Sequence, residues 1–150
     1  MTVPTGPHTI QAPVNGAAGL TDNLSSFTVT DADGLAVTFV FDLNGAGGVP
    51  VGTQPLTYFA TDSADILVGR MIDAIAAEVG EGTLRGVAAV TADGGTLRID
   101  GAASVTVAPA LGLALLNRLP AAVTVPAGPF GDVNDGKTFT VHDGVNSLVF

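Results

Sequence analysis

Residues 25–43 read SSFTVTDADGLAVTFVFDL, and the fold class turns on them. Phe27 and Val29 alternate with Thr28 and Thr30. After Asp31-Ala32-Asp33-Gly34, Val37, Phe39 and Phe41 alternate with Thr38 and Val40. A period of two, carried by β-branched and aromatic residues, marks a strand with one face buried. The Asp/Gly cluster supplies the turn, because Gly accepts the positive φ that tight hairpin turns require. The stretch therefore predicts a β-hairpin.

Upstream, residues 1–23 are rich in Pro, Gly, Thr and Asn and show no helical period, so an extended arm or linker is expected there. Downstream, residues 44–53 form a Gly-rich loop that leads to a short strand near 56–59. The period then changes. In residues 62–82, DSADILVGRMIDAIAAEVGEG, Val68, Ile72, Ile75 and Val79 recur at helical spacing, with Arg70, Asp73 and Glu78 off that line. Asp62 or Ser63 can cap this helix, Asp65 suits the positive end of its dipole, and Gly80 and Gly82 end it. Residues 84–101 read as a second hairpin turning at Asp93-Gly94-Gly95. ASVTV (103–107) adds a strand, and PALGLALLNRL (109–119) reads as a short apolar helix or turn. The expected architecture is α+β: a mostly antiparallel sheet of two hairpins plus an extra strand, packed on one helix.

Composition narrows the class. Of the 150 residues, 47% are hydrophobic and 13% charged, which suits a packed core rather than disorder. The net charge is −9, and the five basic residues, Arg70, Arg85, Arg98, Arg118 and Lys137, are scattered. Without a basic stripe, neither nucleic acid nor an anionic membrane surface is an expected partner. Absence of Cys excludes disulfides and thiolate metal sites. The most apolar stretch, 101–125, is interrupted by Pro109, Asn117, Arg118 and Pro120, so no membrane insertion is expected. The first residues lack a basic start and an apolar run. The expectation is a mature fragment, a signal-less export route, or assembly inside a cell.

Phe27-Thr28-Val29 recurs as Phe139-Thr140-Val141, a spacing of 139 − 27 = 112 residues. Both copies are followed by an Asp/Gly turn and a strand containing Phe. The expected organisation is an arm (1–23), a module (24–119), a Pro/Gly linker (120–134) and a partial second repeat (135–150).

The order β-β-α-β-β, with FTV…DG…VTF, SADILVGRMIDAIAAE, VAAVTADGGTLRI and ASVTV in turn, resembles small modules of flagellins and flagellar hook-associated proteins. It is also similar to modules of phage tail proteins and to tandem repeats of giant bacterial surface proteins. The resemblance covers about residues 24–119 and departs from the pattern in the Gly-rich loop. It implies a non-enzymatic structural role in an extracellular filament, surface coat or repeat array, or in a virion, with copies of the same chain as partners. An adhesin or glycan-binding module is the alternative.

Chemistry-bearing residues are sparse. His8 and His142 lie far apart with no second ligand at zinc spacing. No G-x-S-x-G occurs, and the two Glu, Glu78 and Glu81, sit together at a helix end. No cofactor is expected, with calcium the one candidate. Asp31, Asp33 and Asp42 fit a calcium loop poorly and suit turn chemistry, so Asp132, Asn134 and Asp135 in the linker are the better oxygen cluster. For assembly by strand addition the candidate residues are Phe139, Val141, Leu148 and Phe150, the apolar set of the terminal hairpin.

Overall fold

The computed structural model describes residues 7–108, 111–116, 140–142 and 147–149. They fall into two units, one within Met1–Arg118 and one within Leu119–Phe150. In the first unit the chain runs β1 (His8–Gln11), a 3-10 turn (Gly16–Gly19), β2 (Ser26–Thr30), β3 (Ala36–Leu43), β4 (Gln54–Tyr58), α1 (Ala64–Glu81), β5 (Ala88–Thr91), β6 (Thr96–Asp100), β7 (Ser104–Val107) and β8 (Ala114–Leu115). The second holds β9 (Thr140–His142) and β10 (Ser147–Val149).

The α+β class holds, with one helix among the described residues. The hairpin of residues 25–43 is β2–β3, with Phe27 opposite Phe39 and Val29 opposite Val37. Its inward face is aromatic: Phe27 and Phe39 stack at 4.8 Å, and Phe41 meets Tyr58 edge-on at 5.7 Å. On the other face the Thr28 and Thr38 hydroxyls bond across the strands at 2.8 Å. The second hairpin is β5–β6.

The two hairpins do not share a sheet. β2–β3 lies in a four-stranded sheet ordered β4-β3-β2-β7, and β5–β6 in one ordered β5-β6-β1-β8. The first sheet is mixed, because β4 pairs parallel to β3 after the Gly-rich loop has carried the chain back along the sheet. One core joins both sheets to the helix, with Phe27, Phe39 and Phe41 from the first, Ile10, Leu97 and Ile99 from the second, and Leu67, Met71 and Ile75 from α1.

Two expectations are corrected. The stretch expected as an arm contains a core strand, since residues 8–11 form β1, an interior strand between β6 and β8. Its Ile10 is fully buried opposite Leu97 and Leu115. The partners lie more than eighty residues away, so no local pattern announces the strand. Likewise, residues 114–115, expected in a helix or turn, extend β1's other side as β8.

The helix is bounded as its sequence indicates. Ser63 is the N-cap, its hydroxyl accepting from Ile66 N–H, and Gly82 closes the C-terminus in the left-handed conformation, with φ of 79°. The buried stripe is shifted, however. Leu67, Val68, Met71, Ile75 and Glu78 are buried, while Ile72 and Val79 are only half-buried at the core margin. The reason is that α1 packs against β5 and β6 of one sheet and β4 of the other, which widens and rotates the covered face. Among the described residues no helix is long and apolar enough to cross a membrane.

Candidate functional site

Five acidic side chains, those of Asp22, Asp31, Asp42, Asp62 and Asp65, hold loops in place. Asp31, fully buried at the end of β2, accepts from the N–H groups of Asp33, Leu35 and Arg85 at 2.9 Å each. The first two fix the hairpin turn, and the third ties that turn to the segment entering β5. Burial alone pushes the Asp31 carboxyl up. The hydrogen bonds from Leu35, Arg85, Asp33 and Gly34 outweigh it and leave the group below the usual aspartate range. Asp42 accepts from Gly47 N–H through both oxygens and pins the Gly-rich loop. Asp22 accepts from Leu43 N–H, and Asp65 from Gly95 N–H.

Asp62 sits at the mouth of α1. It accepts from Phe59 N–H and from Arg70, whose Nε lies 2.7 Å from Oδ2. Burial raises this carboxyl, and the Arg70 hydrogen bond, the Phe59 N–H and the Arg70 charge together bring it below the ordinary value. The Arg70 guanidinium also lies over the Phe59 ring, 4.9 Å from its centre.

A cavity of about 320 Å³ opens beside this region. Ala17, Leu20, Leu43 and Ala60 give it apolar walls, and Asp22 and Tyr58 its polar groups. Burial pushes the Tyr58 phenol up, and the charges of Asp22 and Asp42 add to that shift. Glu78 differs from these acids: it is buried on α1, and its Oε2 has no hydrogen-bond partner. The sequence put Glu78 off the buried line, and nothing in its neighbourhood of residues announced the burial.

Of the calcium candidates, Asp132, Asn134 and Asp135 lie outside the described residues. Asp31 and Asp42 spend their oxygens on backbone donors, and Asp33 stands 3.9 Å from Arg85. Among the described residues no group of three or more His, Asp or Glu is arranged to hold a metal. His8 is buried in β1, while His142 ends β9. Of the assembly candidates, Val141 and Leu148 are direct cross-strand partners in the antiparallel β9–β10 pair, and Phe139 and Phe150 lie outside the described residues.

Sequence reasoning also missed an open strand edge, the outer side of β5. Ala88, Val90 and Thr91 are exposed there, and among the described residues no strand flanks its outer side. The run GVAAVTA (86–92), neutral and free of Pro, was the available signal. No protein-family model, no curated protein and no solved structure matches this chain.

Proposed function

We propose that this chain is a non-catalytic structural module of an extracellular filament, surface coat or repeat array, joined to copies of itself by strand addition. The observation that carries the reading is β9–β10. Thr140 and Val141, the matches of Thr28 and Val29 at a spacing of 112 residues, again open an antiparallel pair. In β2–β3 the pair is flanked on both sides, by β7 and β4. Among the described residues β9–β10 has no third strand. A two-stranded hairpin is marginal in water, and its open edges seek another strand.

The use of the acidic residues supports the same reading. Asp22, Asp31, Asp42, Asp62 and Asp65 each accept from a backbone N–H, so they act as fasteners of loops. A head-to-tail contact of this kind is heterologous and propagates into a chain unless the rotation closes a ring. The test compares the intact protein with a variant lacking residues 137–150, by sedimentation velocity and electron microscopy. The intact chain is expected to form concentration-dependent oligomers and the truncated one to stay monomeric. Identical behaviour of the two overturns the reading.

A further inference from the structure

We propose that the outer edge of β5 is the acceptor strand for the β9–β10 hairpin of a second copy. The inference rests on the strand-addition reading and names its receiving surface.

The two four-stranded sheets have four edge strands: β4 and β7 in one, β5 and β8 in the other. Asn44 N–H donates to Tyr58 C=O, so Gln54, Leu56 and Tyr58 turn their backbone groups toward β3, while Pro55 and Thr57 turn theirs outward. Pro55 therefore stands where an edge donor would point at solvent, and it has no N–H to offer. β7 and β8 run close to each other, so each stands in the way of a strand added at the other.

Among the described residues β5 has no such neighbour. Ala92 N–H donates to Thr96 C=O, which fixes the alternation of the antiparallel ladder. Ala88 and Val90 bond to β6 opposite Asp100 and Arg98, so Val87, Ala89 and Thr91 direct N–H and C=O away from the sheet. The strand is four residues long, with Val90 47% exposed. Charged side chains and Pro, the usual guards of an edge, are missing from residues 86–92.

The hairpin fits this edge in length and charge. β9 and β10 are three residues each. Exposed Arg85 precedes β5 and exposed Asp93 follows it, while Lys137 precedes β9 and Asp143 follows it in sequence. Antiparallel addition places the basic end of each strand toward the acidic end of the other. Pairing of β5 with a second β5 would match charges equally well. But α1 packs against β5, so a twofold copy would bring a second helix to the same strip of sheet. A hairpin brings none.

Two variants test the assignment. Ala89→Pro removes an outward N–H and no ladder bond within the chain, and Val90→Lys places a charge on the exposed face. Each is checked by circular dichroism for an intact fold. Assembly of the full chain should weaken at least about tenfold in each folded variant, as expected for loss of an edge-pairing contact. Exchange of the Ala89 and Thr91 amides should slow when the wild-type protein assembles. Should Ala89→Pro fail to fold, Val90→Lys and the amide exchange decide. The inference is overturned if deletion of residues 137–150 abolishes assembly while the β5 variants assemble as wild type does. In that case the strand-addition reading stands with another acceptor. It is also overturned by a closed dimer that survives the deletion. If the intact chain stays monomeric at about 100 µM, a concentration at which even micromolar contacts are populated, the reading and the inference fall together.

Discussion

Asp31 shows how one residue joins local turn chemistry to tertiary structure. Its hydrogen bonds to Asp33 and Leu35 belong to the hairpin and its bond to Arg85 to the distant β5 approach. Because its folded pKa is lowered, its contribution to stability is complete above the usual aspartate value and is lost as pH falls through the folded one. Asp62 behaves in the same direction. Thermal melts should therefore show Asp31→Asn well below wild type at neutral pH, with the gap narrowing as pH falls below the ordinary aspartate value of about 3.9, where the unfolded chain begins to take up the proton that the folded carboxylate still resists. A gap that does not change with pH would mean the charge is irrelevant. Arg70→Ala should cost about 1–2 kcal/mol, since it strands the buried Asp62 carboxylate; the figure is discounted because the Arg70 side chain is 31% exposed. Glu78 should show the opposite sign. Replacement by Met removes the unpaired Oε2 from the core, so Glu78→Met is expected to raise stability by about 1–3 kcal/mol in urea titrations. A loss instead would reveal that the carboxylate is held by a contact worth keeping.

At the scale of the element, α1 is anchored through a broad face rather than a narrow stripe. Ile75 is buried in the core that joins the helix to both sheets, so Ile75→Ala should cost about 2–5 kcal/mol, by lost transfer energy and the cavity left behind. Ile72, only half-buried, should lose less than half as much under the same substitution. Equal losses at the two positions would contradict the observed rotation of the helix. A local sequence window supplied the helix, its Ser63 cap and its Gly82 stop, because each depends on neighbours within one turn. The rotation was not legible there. It is set by β4, β5 and β6, which meet the helix from different directions.

At the scale of the molecule, β1 makes the first few residues part of the core. A chain starting at residue 16 loses an interior strand, with Ile10 opposite Leu97 and His8 opposite Ile99. It should show no cooperative unfolding transition in calorimetry. A cooperative melt of that variant would show that β1 is dispensable. Alternation, turn residues and helical spacing in the sequence determined the β2–β3 hairpin, the helix and the β5–β6 hairpin, because these features are written within about twenty consecutive residues. Tertiary structure decided the rest. It split the hairpins between two sheets, set β4 parallel beside β3, and drew residues 8–11 between β6 and β8. It also turned the acids of the loops into acceptors for backbone N–H groups and left β5 as an unguarded edge. Each of these depends on which strands meet across long stretches of chain, and non-local pairing is a property of the assembled core that no short window of sequence contains.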